Sequence, residues 1–212
     1  MQESSPTVRR RVPIAKAWYL RILLFYAVMV LILTAVTYLV NSDSMPASAY
    51  ELNADKPWTI VLATFTNGTW SHLGSNLYAM GYLLMGVLVL PIVDSTLMRS
   101  SRYLALVTWS QVVSGLLGAS VYYAILLAYG IGPDGAGSSI INAGLIGIVI
   151  LAFAKSAFRL ARGKKLAGAA LLAIILLTLL GELVQGFLQT GNSGAHYLGF
   201  VAGLLVAAWY LR

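Results

Sequence analysis

A chain of 212 residues that is 59% hydrophobic and only 10% charged, with a mean hydropathy of +0.81, has the composition of an all-α polytopic membrane protein. A soluble domain of this length has too little interior to hide so much apolar surface. Cysteine is absent, which excludes a disulfide framework, a thiolate nucleophile and a Cys-based zinc site. The net charge of +7 does not point to nucleic acid, because the basic residues flank apolar runs rather than gathering on an aromatic-rich surface.

Residues 1–17 are polar and basic and read as a cytoplasmic N-terminal tail, disordered or resting on lipid headgroups. Six apolar runs follow, at about 18–40, 70–93, 103–129, 139–154, 166–185 and 195–211. A bilayer core of about 30 Å needs roughly 20 helical residues, so six spans are predicted, the fourth and sixth of them short. The first run, followed by "PASA" at 46–49, has the outline of a signal peptide but is too long for an h-region and reads as a retained anchor. In a six-span arrangement Arg9, Arg10, Arg11, Lys16, Arg21, Arg99, Arg102, Lys155, Arg159, Arg162, Lys164, Lys165 and Arg212 share one side, and Lys56 alone lies on the other. The positive-inside rule then puts both termini in the cytoplasm and the segments 41–69, 130–138 and 186–194 outside. Asp43, Glu51, Asp55 and Asp134 fall outside with them. The outer loop 41–69 ends in an aromatic, β-branched stretch whose Trp58, Phe65 and, just beyond, Trp70 suit the headgroup region. The stretch "KSAFRLARGKK" reads as a basic turn without chemistry.

Polar groups within spans are costly and therefore informative. The two histidines, His72 and His196, and the Ser138/Ser139 pair all fall at the outer start of a span, so three segments deliver them to one layer. Ser139, Ala143 and Gly147 repeat every four residues, as do Ala195, Gly199, Gly203 and Ala207. Small-residue stripes of this kind let two helix backbones approach closely. Packing them together brings Ser139 within hydrogen-bond reach of His196, and a neutral imidazole is the usual base for a serine nucleophile. His72 and Asn76, four apart on one helix face, are both able to donate to a developing oxyanion. Gly137, ahead of the serines, permits a tight turn and close approach of a peptide, and a helix start offers unpaired N–H groups such as that of Ser139.

These motifs resemble the rhomboid family of intramembrane serine proteases. Gly137-Ser138-Ser139 matches the family's Gly-x-Ser, His72-Leu73-Gly74-Ser75-Asn76 its His-x-x-x-Asn, and "AHYLGFVAG", with His196, Gly199 and Gly203, its His followed by Gly-x-x-x-Gly. The resemblance covers roughly residues 50–212. It implies a six-transmembrane-helix rhomboid-like bundle, a serine endopeptidase that cleaves transmembrane or membrane-anchored protein substrates near the outer face without cofactor or metal. Ser139 is implied as nucleophile and His196 as general base. His72, Asn76 and the Ser139 backbone N–H are implied as the oxyanion hole, with Gly137, Gly199 and Gly203 in support. The loop 186–194 corresponds to a mobile cap, and the fifth span lies where substrates are thought to enter.

The chain departs from the family in three places. The Trp-Arg pair common in the first outer loop reads Trp58-Thr59, an aromatic four residues after the nucleophile is replaced by Ala143, and a late acidic residue of the second span is replaced by "MGVLVLP". Other readings stand beside these. Ser138 is an alternative nucleophile, Asn76 an alternative cross-helix hydrogen bond, Asn142 a structural or cavity-lining amide, and Glu182 a snorkelling carboxylate or a catalytic acid. A catalytically silent rhomboid-like binding protein, or a small transporter, are the readings from other functional classes.

Overall fold

The computed structural model describes residues 14–42, 44–46, 49–53, 55–97, 100–131, 137–163, 165–170, 172–174, 177 and 193–212. Its helices are α1 (Ile14–Asn41), α2 (Thr59–Phe65), α3 (Trp70–Val93), α4 (Ser101–Val107), α5 (Trp109–Tyr129), α6 (Ser139–Arg162) and α7 (Ser193–Tyr210). Residues 166–170 and 172–174 are also helical. The remainder of the fifth apolar run, Glu182, residues 1–13 and most of the loop 186–194 lie outside the described residues. Among the described residues four helices, over 17–41, 70–93, 109–129 and 139–162, are long and apolar enough to cross a membrane, and α7 is a shorter apolar helix. The chain is thus an α-helical, multi-pass membrane protein, whose spans satisfy most of their backbone polar groups within their own helices.

Helix α6 is the centre of the bundle. Its apolar window is 67% buried, whereas those of α1, α3 and α5 are between 28% and 33% buried. Those outer helices turn side chains such as Leu24, Leu31, Met85 and Leu117 outward, where lipid is their natural solvent. Ile140, Ile141, Leu145, Ile148 and Phe153 of α6 are fully enclosed.

Two of the helices differ from the apolar runs. The fourth run, expected to be short, continues as helix to Arg162, so most of the stretch 155–165 is not a turn. Lys and Arg are good helix formers, and Arg159 and Arg162 in the last turn face the negative end of the helix dipole. The third run, expected as one span from residue 103, is interrupted at Thr108 (φ −111°, ψ −92°), which separates α4 from α5. Carbonyls near the break find side-chain donors. Thr108 Oγ1 donates to Leu104 O at 2.7 Å, Ser110 Oγ to Ala105 O at 3.2 Å, and Tyr26 Oη of α1 to Val107 O at 3.2 Å.

Helix α3 handles a proline in the same way. Pro91 has no N–H for the carbonyl one turn back, that of Val87, and Tyr103 Oη of α4 donates to it instead at 3.2 Å. Tyr19 Oη of α1 reaches the neighbouring carbonyl of Leu88 at 3.3 Å. Tyr103→Phe keeps the packing and removes this donor. It is expected to cost about 0.5–1.5 kcal/mol, read as a lower unfolding temperature in detergent or nanodiscs.

Asp94 closes α3, its N–H donating to Leu90 O at 2.8 Å, and its buried carboxylate pairs with Arg159 of α6. Burial alone would raise its pKa. Hydrogen bonds from Thr96 and Ser156 together with the Arg159 charge outweigh burial and hold the group below its ordinary 3.8. A depressed folded value means stabilisation that is complete above the unfolded pKa and lost as pH falls through the folded one. The stability difference between the wild type and Asp94→Asn should therefore be constant near neutrality and shrink as pH drops below 3.8, measured by thermal unfolding across pH.

Candidate functional site

The site begins with how closely α6 can be approached. A Cβ added to Gly199 of α7 would lie 2.7 Å from Ile140 O, and one added to Gly203 would run into the Gly144 carbonyl. Gly147 of α6 meets the Phe200 carbonyl in the same way. The stripes read from the sequence do face each other, with Ala143 Cβ 3.5 Å from the Cβ position of Gly199. A third helix takes part that the sequence reading left out. On α5, Ser114 Cβ lies 2.7 Å from where a Gly144 Cβ would be, and a Gly118 Cβ would lie 2.6 Å from Gly199 N. The spacing of Ser114 and Gly118 by four is the signal that was available for it.

This three-helix junction brings the first turns of α6 and α7 together. Ser139 Oγ and His196 Nε2 are 2.6 Å apart, a hydrogen bond between residues 57 apart in the chain. Both side chains are half-buried. His72 stands beside them on α3. Its Cε1 is 3.0 Å, and Ser139 Oγ 3.6 Å, from the position a Cβ on Gly137 would occupy. Any side chain at residue 137 would therefore fill the space between the two groups. The backbone of His72 is fixed by Thr69, which caps α3 by accepting from His72 N at 3.1 Å. Among the described residues no hydrogen bond engages the Ser139 N–H, as expected for the first residue of a helix.

Ser138 and Asn76 belong to a second group, directly behind this one. Ser138 Oγ is buried and donates to Asn67 Oδ1 at 2.7 Å. Asn76 Nδ2 donates to Asn67 Oδ1 at 2.7 Å and to Ser138 Oγ at 3.1 Å. Asn67 Nδ2 in turn donates to Thr37 Oγ1 of α1 at 3.3 Å, and Asn142 Nδ2 to Asn76 O at 2.9 Å. The hydroxyl that meets an imidazole is thus that of Ser139, whereas that of Ser138 meets two amides. The Asn76 amide nitrogen is hydrogen-bonded within the protein to both Asn67 and Ser138, the contacts of the cross-helix reading of this residue. Asn142 is structural, tied to α3. Asn67 and Thr37 went unnoticed in the sequence, although an amide five residues before His72 and next to an apolar run is itself a conspicuous polar group.

Compared with models of known protein families, with curated proteins and with solved structures, the chain matches none. A methyl group at Gly203 would press on backbone that cannot yield by rotating a side chain. Gly203→Ala is expected to lose about 1–3 kcal/mol of stability and to part α6 from α7, detected as a lower unfolding temperature.

Proposed function

We propose that this protein is an intramembrane serine endopeptidase of rhomboid type, a six-helix bundle with both termini in the cytoplasm and the site opening toward the extracytoplasmic side. The observation that carries the reading is the 2.6 Å contact between Ser139 Oγ and His196 Nε2. A hydroxyl this close to an imidazole nitrogen has its base in place.

In the proposed reaction a transmembrane or membrane-anchored protein presents a peptide carbonyl to Ser139. His196 takes the hydroxyl proton at Nε2 as Oγ bonds to the carbonyl carbon. The resulting oxyanion lies at the start of α6, where the Ser139 N–H and the His72 imidazole are the donors at hand. His196 then returns the proton to the departing amine, and water repeats the sequence on the acyl-enzyme to release the second product and free Ser139. The Asn76 amide, already bonded to Asn67 and Ser138, joins the oxyanion donors by turning an N–H toward the substrate oxygen. Ala143 takes the place of an aromatic that would pack against the base, and its small size instead lets α7 close on α6 one turn beyond His196.

The purified protein is expected to form a covalent adduct with a serine-directed phosphonate, mapped to Ser139 by mass spectrometry, and to cleave a helical membrane substrate. Ser139→Ala and His196→Ala should each lower cleavage by about a thousandfold or more with the fold retained. Unchanged cleavage by both variants refutes the assignment. A folded wild type that binds substrate helices without adduct or cleavage is instead the silent binding protein.

A further inference from the structure

We propose that Asn67 is a positioning residue for Ser139, holding the start of α6 in the geometry that meets His196; the inference rests on the reading of Ser139 and His196 given above. Asn67 is fully enclosed, and it is the point where four parts of the chain meet. Its Oδ1 receives Ser138 Oγ and Asn76 Nδ2, each at 2.7 Å, and its Nδ2 reaches Thr37 Oγ1 on α1. The preceding carbonyl, that of Thr66, accepts from Ser138 N at 2.9 Å. Residues 66 and 67 therefore grip Ser138 by backbone and side chain together, one peptide unit ahead of Ser139.

The grip changes what Ser138 does. It occupies the N-cap position of α6, where a serine ordinarily turns its hydroxyl back onto the N–H groups of the first turn. Here it makes no such bond, and its backbone is already helical (φ −59°, ψ −12°). The hydroxyl is drawn outward to Asn67 instead. Removing the Asn67 carboxamide strands a buried hydroxyl and an Asn76 N–H, and of the two ties that hold Ser138 to residues 66 and 67 only the backbone bond to Thr66 O remains. Without the side-chain tie the first turn reorients, moving Ser139 Oγ from His196. Misplacement of reacting groups by about 1 Å costs on the order of a hundredfold in rate.

The test uses the full chain in lipid nanodiscs, with ¹⁵N-labelled histidine. His72 and His196 are the only histidines, so the imidazole spectrum holds two residues. Ser139→Ala marks the shift of His196 when its hydroxyl partner is lost. Asn67→Leu is expected to move the His196 signal the same way and to lower kcat for a helical membrane substrate about a hundredfold, with KM changed no more than about threefold. Asn67→Asp, which keeps the acceptor oxygens, should restore the signal and most of the rate. Ser138→Ala, which leaves no large cavity, serves if Asn67→Leu does not fold, and is expected to shift the same signal and lower kcat. Folded Asn67→Leu or Ser138→Ala with wild-type imidazole signals and wild-type kcat overturns the proposal. So does a loss of rate that only follows the loss of folded protein. A wild type without turnover counts against the protease reading, and the imidazole comparison still decides the role of Asn67.

Discussion

Backbone contact between α6 and its two neighbours is the constraint on which the molecule depends. Glycines on α5, α6 and α7 stand where a single Cβ would enter another helix's main chain, so these helices meet along their peptide groups rather than through side chains. In lipid, where burying apolar side chains brings little gain over leaving them among acyl chains, such close packing is a principal source of association. The contact also fixes depth. Gly199 lies against Ile140 and Gly203 against Gly144, which leaves Ser139 and His196 level with each other. Ordinary helix pairs, separated by about 8–10 Å, would hold two short side chains too far apart to touch.

A second pattern recurs in the structure: several polar groups that a helix leaves open are answered by side chains brought to them by the fold. The proline of α3 is served by tyrosines from α1 and α4, and the break between α4 and α5 by Thr108, Ser110 and Tyr26. Ser138 and Asn76 are answered by Asn67, and Asp94 by Arg159. These bonds are separately modest, but each joins elements far apart in sequence. The polar layer around Asn67 therefore ties α1, α3 and α6 to one another immediately behind the proposed dyad.

Much of this was legible in the sequence because membrane helices permit few polar residues. His72, Ser139 and His196 stood out against apolar surroundings, and the four-residue spacing of small residues on α6 and α7 gave the faces that meet. Other features had weaker local signals. Thr108 is neither glycine nor proline, so nothing in the run from Tyr103 to Tyr129 announces a break there. Lys155 and Arg159 looked like the end of an apolar run, although long cationic side chains extend a helix as readily as they end one. The face chosen by Asn76 could not be read either. Its spacing from His72 fits an amide beside the imidazole equally well as one turned behind it, and the partner that decides, Asn67, belongs to the connection before the helix. Asp94 lies three residues beyond "MGVLVLP", the stretch that stands in place of the family's acid.

The proline in α3 bears on how the molecule comes together. An isolated segment carrying Pro91 enters the bilayer with an acceptor at Val87 that its own backbone cannot reach. Exposed to hydrocarbon, such an acceptor is a liability until a hydroxyl arrives from elsewhere. Tyr103 follows soon after in the chain and supplies that hydroxyl, while Tyr19, a whole span earlier, adds a bond to the neighbouring Leu88 carbonyl, so docking of α4 quiets the open acceptor and α1 strengthens the hold. Assembly of the first half of the polypeptide is thereby linked: α1, α3 and the short α4 have a reason to find one another before the later helices seal the centre.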